Sequence, residues 1–246
     1  MLGDGSMDWS SRGRYHSNHG WCQHAYNTCK YTILCGSDGD GPKKRKNGGY
    51  GEWSSRFDTK IPDAMYYRDL CFRRHPTETY AGGRPKYKKH VNKRWLREIE
   101  RVGLWETIAW WIGDDGTLQG TPTSPQMVFN TQGFSKREVQ LLAVWLRAHA
   151  IECAARTVQS KKRKKTYWIV SCTVQGTLRL IENCKAHVPG PMQYKVTTSR
   201  IETAVCFYCG QPFQLSGRQS RDPRRLPKKP CCRQPQCLKD RHNELN

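Results

Sequence analysis

The sequence predicts a mixed α/β (α+β) chain in which helices alternate with short antiparallel strands, followed by a tail of different character. Three observations carry this prediction. Residues 104–196 read in order as helix, strands, helix, hairpin and helix, the pattern of a unit built around one sheet. Residues 1–103 hold strand-like and helix-like segments among glycine-rich and basic stretches. Residues 197–246 carry ten Lys/Arg against four acids, with prolines and little apolar periodicity. Such a segment cannot bury enough surface to fold without a staple.

Within 1–103, a polar strand is expected up to about His19. A helix is expected over 23–34, where Tyr26, Tyr31, Ile33 and Leu34 give partly helical spacing. Residues 35–50 (CGSDGDGPKKRKNGGY) read as a turn or loop by every local sign. A strand over 52–60 and a helix opened by Pro62 follow. Residues 84–101 then carry eight Lys/Arg against two Glu. Within 104–196, residues 104–115 form a helix apolar nearly all round, which requires burial on more than one side. Ser135 and Glu138 make a capping box ahead of Val139, Leu142, Ala143 and Leu146, which follow helical spacing. Residues 153–159 and 167–173 flank KKRKK as a β-hairpin with a basic tip, and 178–184 form a further helix.

A formal charge of +21, from 42 basic and 21 acidic residues, points to a polyanionic partner. No run approaches the roughly 18 apolar residues that span a bilayer, and no signal-peptide pattern opens the sequence. An intracellular protein with no membrane contact is expected, in a bacterial or phage cytoplasm or an organelle matrix. The twelve cysteines are then not a disulfide framework.

The most informative segment is Ile-Ala-Trp-Trp-Ile-Gly-Asp-Asp-Gly at 108–116. An apolar helix ending on acids places carboxylates at a helix C-terminus, an unfavourable position for a purely structural acid. FNTQGFSKREVQLL (129–142), the basic hairpin, a helix and PMQYKV (191–196) follow it. Over about 85 residues, this order resembles the second half of a two-motif LAGLIDADG homing endonuclease. The opening LGDGS is similar to the end of a family first motif, and the HAYNTCKYTIL helix resembles the rest of a first half.

The resemblance implies two pseudo-symmetric αββαββα halves, 1–103 and 104–196, each laying an antiparallel sheet on duplex DNA, within a monomer. It implies site-specific double-strand cleavage by the acids Asp4 and Asp115 sharing Mg²⁺ (or Mn²⁺), with Asp114 as the neighbour of the second. Ala109 and Gly113 would let the motif helices approach. Lys195 and Lys89, the latter with Lys88 as fallback, would stand near the attacking water and scissile phosphate. About two turns of helix precede the first acid in the family, whereas here the sequence begins almost at Asp4. Either upstream residues are absent from this chain or that helix is lost, and its loss would compromise cleavage. The alternative reading is a non-cleaving descendant that acts as an RNA maturase or binds structured RNA. Intron or intein mobility is the setting the family implies.

Outward-facing polar residues on groove-borne strands can make bidentate base contacts. The candidates are Gln126, Asn130, Gln132, Arg156 and Gln159, with Lys161, Lys162, Arg163, Lys164 and Lys165 directed to phosphates. The alternation is not clean enough to assign faces. In the tail, Cys206-Phe-Tyr-Cys209-Gly suits two thiolates on one Zn²⁺, and Cys231, Cys232 and Cys237 supply a second set. Cys206, Cys209, Cys232 and Cys237 are the favoured four, with one of Cys231 and Cys232 spare and His242 in reserve. Arg224 and Arg225 beside this zinc knuckle would contact phosphate.

Overall fold

The computed structural model describes residues 6–7, 14–20, 23–35, 39–46, 53–60, 64–79, 85–160, 165–198, 203–215, 230–232 and 234–245. Contacts divide the chain into two compact units, residues 1–120 with 125–196, and residues 121–124 with 197–246.

The first unit holds two four-stranded antiparallel sheets. One is built from β1 (Ser6–Met7), β2 (Arg14–Gly20), β3 (Lys43–Lys46) and β4 (Trp53–Lys60), and the other from β7 (Gly116–Gly120), β8 (Pro125–Phe129), β9 (Cys153–Ser160) and β10 (Lys165–Cys172). Their spatial orders are β1-β2-β4-β3 and β7-β8-β10-β9, so one connectivity is used twice. Helix α1 (His24–Cys35) crosses between the second and third strands of the first sheet, as α5 (Lys136–Ala148) does in the second. α2 (Ala64–Cys71) and α6 (Val174–Cys184) follow the last strand of each. Between the repeats lie a hairpin, β5 (Phe72–Thr79) with β6 (Pro85–Lys89), then α3 (Lys93–Val102) and α4 (Leu104–Asp115).

The mixed α/β class with antiparallel sheets is as the sequence predicts. Two local readings differ. Residues 35–50 were expected to be a loop, yet Lys43–Lys46 form an edge strand on β4. Tertiary pairing overrides a Gly/Lys-rich composition that is poor in intrinsic strand preference. Residues 72–79, unassigned in the sequence, pair with β6. α6 also begins earlier than the expected 178, at Val174, because Thr173 accepts a hydrogen bond from the backbone of Gly176 as N-cap.

One apolar core runs through both repeats. Ile108, Ala109, Trp111 and Ile112 of α4 are fully enclosed, with Trp111 stacked on Phe129 at a centroid distance of 4.0 Å. Burial on more than one side accounts for the run Ile108–Gly113 being free of charged residues. Among the described residues, no helix is long and apolar enough to cross a membrane.

Helix starts are tied to the core by side-chain caps. Asn92 accepts from the Trp95 amide at the start of α3. Ser135 and Glu138 form the expected capping box on α5. Glu138 also accepts the Val91 amide at 3.0 Å, joining α5 to the residues before α3. Ser135→Ala should therefore cost about 1 kcal/mol. Glu138→Ala should cost more, about 2 kcal/mol, because it also strips the partner from a partly buried amide. Urea denaturation of both variants checks the order; equal losses would mean the Val91 bond contributes nothing.

Candidate functional site

The acidic end of α4 is where most of the chemistry-bearing residues converge. The helix stops because Gly116 leaves it directly into β7. A Cβ at Gly116 would lie 2.7 Å from the Ile112 carbonyl oxygen, so no other residue fits that exit. Carbonyls in a last turn lack intrahelical partners and carry partial negative charge. Here the buried Lys195, at the end of the 3-10 segment Gly190–Lys195, supplies the counter-charge. Its Nζ donates to the carbonyls of Gly113 at 2.7 Å, Ile112 at 3.2 Å and Asp114 at 3.4 Å. The Asp115 carbonyl accepts the Asn130 amide at 3.0 Å and its side-chain Nδ2 at 2.9 Å.

The two acids have different surroundings. Asp114 points into the first repeat, where Lys30 of α1 forms an ion pair with it and Tyr26 donates its hydroxyl at 2.9 Å. The Lys30 and Asp114 side chains are 6% and 7% exposed. His19 of β2 stands 3.2 Å from Lys30 Nζ through its Nε2 and 3.9 Å from Asp114. The Tyr26 ring lies 4.8 Å from the same ammonium. Burial pushes the Asp114 carboxyl up, but Lys30, His19 and Tyr26 outweigh it and hold the group below the usual carboxylate range. Burial, then the Lys30 charge, bring His19 down to about 4, so at neutral pH it is an uncharged acceptor for Lys30. Taken as whole residues, Asp114 and Asp115 are both half-buried; what sets Asp114 apart is its contact with Lys30 and Tyr26.

Gly113 is where α1 meets α4. A Cβ there would lie 2.6 Å from the Tyr26 hydroxyl, so the glycine admits the tyrosine to the end of the helix. His19 and Lys30 are not among the site residues named from the sequence, in which 23–34 shows only a helix with partly helical apolar spacing. The available signal was Tyr26 and Lys30 at i, i+4, a cation sharing a face with an aromatic residue.

Sheet register resolves the faces that alternation left open. Directly opposed residues share a face, and faces alternate along a strand. Cys153 opposite Cys172 and Ala155 opposite Val170 face the core, which puts Gln159 opposite Thr166 on that same side. Arg156, Val158, Tyr167 and Lys165 lie on the other face. Gln126 joins them opposite Gln119, next to Thr117 opposite Val128. Arg156 and Gln126 therefore share the open face, and Gln159 does not. Asn130 spends its amide on the Asp115 carbonyl and the Thr117 hydroxyl at 3.1 Å. Gln132 is exposed in the turn before α5, and Gln119 and Thr117 are exposed additions to the expected set. On the first sheet, exposed Lys43 pairs with Arg56. Lys89 is half-buried at the end of β6, paired with Phe72, and Lys88 is exposed. Asp4, Lys161, Lys162, Arg163, Lys164, Arg224 and Arg225 lie outside the described residues.

The second unit contains a hairpin of β11 (Thr203–Val205) and β12 (Pro212–Gln214) and the helix α7 (Pro235–Leu245). The turn between its strands is closed by the Gly210 amide on the Cys206 carbonyl at 2.9 Å, with Gly210 at φ 69°. Cys206 and Cys209 flank that turn, and Cys232 and Cys237 come from the start of α7 and the residues before it. The four sulfurs lie within 4.8 Å of one another, with 3.8 Å from Cys209 to Cys232 and 3.6 Å from Cys232 to Cys237. A tetrahedron of sulfurs about 2.3 Å from zinc has edges of about 3.8 Å, so the donor set fits Zn²⁺. Burial opposes the Cys206 thiolate, but backbone amides, first that of Cys232, bring it down to about 6. Cys231 is buried against Cys206 and Cys237, but neither it nor the exposed His242 belongs to the group of four converging sulfurs.

The model of the LAGLIDADG DNA endonuclease family matches residues 1–177. Among solved structures, the homing endonuclease I-WcaI bound to its DNA recognition sequence is similar over 80% of this chain and 81% of that one. Its TM-score is 0.57 at 19% identity, a likeness of fold. No curated protein matches the chain.

The depressed His19 has a measurable consequence. An unfolded histidine takes up its proton as pH falls below about 6.5, whereas the folded one does so only near 4. The unfolded state therefore binds more protons in that window, and stability falls as pH drops through it, by about 3 kcal/mol in all. The contribution of Asp114 is lost only below the usual 3.8. Urea unfolding of wild type and His19→Gln between pH 7 and 4.5 should show a shallower fall in the variant; parallel curves would remove His19 as the cause.

Proposed function

The chain belongs to the LAGLIDADG DNA endonuclease family, and on that premise we propose that it is a site-specific endonuclease hydrolysing both strands of duplex DNA with a divalent metal. The observation that carries this reading is the separation of the two acids at the end of α4. Asp114 is committed inside the protein to Lys30 and Tyr26, and Asp115, which stands at the acid position of the family motif, is assigned as the carboxylate for chemistry. Asp115, with Asp4, would hold Mg²⁺ or Mn²⁺, for which hard carboxylate oxygens are suitable ligands. The metal would activate water and stabilise charge on the leaving oxygen.

The protein's own groups set the conditions for that step. Lys195 holds the last turn of α4 and places a buried positive charge one residue from Asp115, so negative charge from the acid and a phosphate is tolerated there. Lys89 is the matching lysine of the first half, residues 1–103. The open faces of the two sheets would follow the major groove, with Arg156, Gln126 and Gln119 at base edges and Lys43, Arg45 and Lys165 at phosphates. Duplex DNA is the partner bound by the structurally similar I-WcaI, which supports this assignment. The cysteine unit would bind one Zn²⁺ through Cys206, Cys209, Cys232 and Cys237, and the metal would take the place of a core in residues 197–246.

Cleavage of a randomised duplex library with Mg²⁺ tests the activity. Sequence-confined double-strand cuts are expected, lost in Asp115→Asn while duplex affinity is kept or raised, because a negative charge near phosphate is removed. Tight binding without cuts, and better binding of structured RNA, would move the assignment to a non-cleaving RNA-binding protein. For the tail, a chromophoric chelator should release one zinc per chain, and Cys206→Ser should lower that yield to near zero. Release should unfold the cysteine unit and spare the first; zinc-free protein with an unchanged tail signal would sink the assignment.

A further inference from the structure

Four consecutive residues at the end of α4 are held from three directions. Lys195 takes the carbonyls of 112–114, Asn130 takes that of Asp115, and α1 takes the Asp114 side chain through Lys30 and Tyr26. Burying two opposite charges is costly and is offset only by close geometry with further hydrogen bonds. The first repeat builds that geometry in advance. The His19 lone pair and the Tyr26 ring surround the Lys30 ammonium, and the anion is supplied by the other repeat.

We propose that the Lys30–Asp114 pair is a positioning device that registers the last turn of α4 against α1 and thereby sets where the Asp115 carboxylate stands, and that Asp114 itself ligates no metal. This rests on the metal-binding reading of Asp115 above. Successive helical residues point about 100° apart, so Asp114 can face inward and fix the turn while Asp115 leaves the helix in a different direction. The main-chain carbonyls of both residues are tied, which fixes where the Asp115 side chain leaves the helix.

The test uses Tb³⁺ on the full chain, with emission sensitised by Trp110 and Trp111 one turn before Asp115, so neither DNA nor activity is needed. Wild type should show a site that Asp115→Asn abolishes. Lys30→Met and Asp114→Asn should each weaken it about 10- to 100-fold, the range for groups that orient metal ligands. The double variant should be no weaker than the worse single, because both changes break one device. In a duplex cleavage assay each single should lower kcat about a hundredfold, the effect of a misplacement of about 1 Å, with KM unchanged.

If Asp114 were a ligand, Lys30→Met would free its carboxylate and tighten Tb³⁺ binding, which overturns the proposal. Unchanged Tb³⁺ affinity in variants that only melt earlier would also overturn it, leaving a structural contact. Should a single variant fail to fold, Lys30→Met/Asp114→Leu, which leaves no charge buried alone, decides the matter: weakened binding supports positioning and wild-type binding refutes it. Absence of an Asp115-dependent site in wild type would instead sink the metal reading itself, a result separable from unchanged variants on an intact site.

Discussion

A helix that must end on two acids, inside a protein, sets an electrostatic problem that the rest of the first unit is arranged around. The last turn of α4 already carries the negative end of the helix dipole, and two carboxylates add to it. The solution is a pair of buried ammonium groups from opposite ends of the unit. Lys30 is 84 residues before Asp114, and Lys195 is 82 residues after Gly113. The helix is therefore stable only when both ends of the unit have closed on it. Removing one member of a buried ion pair typically costs about 3–5 kcal/mol, a large share of the roughly 5–15 kcal/mol that holds a domain together. The same closure distinguishes two adjacent aspartates that are chemically identical in the sequence.

Those contacts explain what was legible in the sequence and what was not. α4, the capping box at Ser135 and Glu138, and the hairpin of β9 and β10 follow from local pattern, and the structure contains them. The family followed from a short motif and the order of segments after it. Lys43–Lys46 was not legible as a strand, because its pairing with β4 is a tertiary event that its composition does not favour. The sheet faces were not legible either, since Arg156 and Gln159 are separated by parity of register rather than by any difference in residue type. Tyr26, His19 and Lys30 converge on Asp114 only through the packing of α1 against α4.

The cysteine unit obeys different physics. The first unit is held by a continuous apolar core, whereas the second has Cys206, Cys231 and Cys237 as its buried cluster, with Tyr208, Phe213 and Cys232 packed on it. The elements described in this unit, three-residue strands and a helix, bury too little surface to fold on hydrophobicity alone. Four convergent thiols at ligand spacing supply an alternative source of cohesion. With zinc bound as proposed, the two units would respond to separate variables, one to pH and core packing and the other to redox state and metal supply.

The repeated strand order of the two sheets has a consequence for inheritance. A fold made twice within one polypeptide is released from the identity that a symmetric dimer imposes, since a change in one copy is not mirrored in the other. The copies have used that freedom. The first sheet presents Lys43, Lys44 and Arg45 along its edge, and the second presents Thr117, Gln119 and Gln126 beside a single arginine. On the duplex-binding reading proposed above, a double helix across them would meet two dissimilar surfaces, and its sequence would not have to be a palindrome.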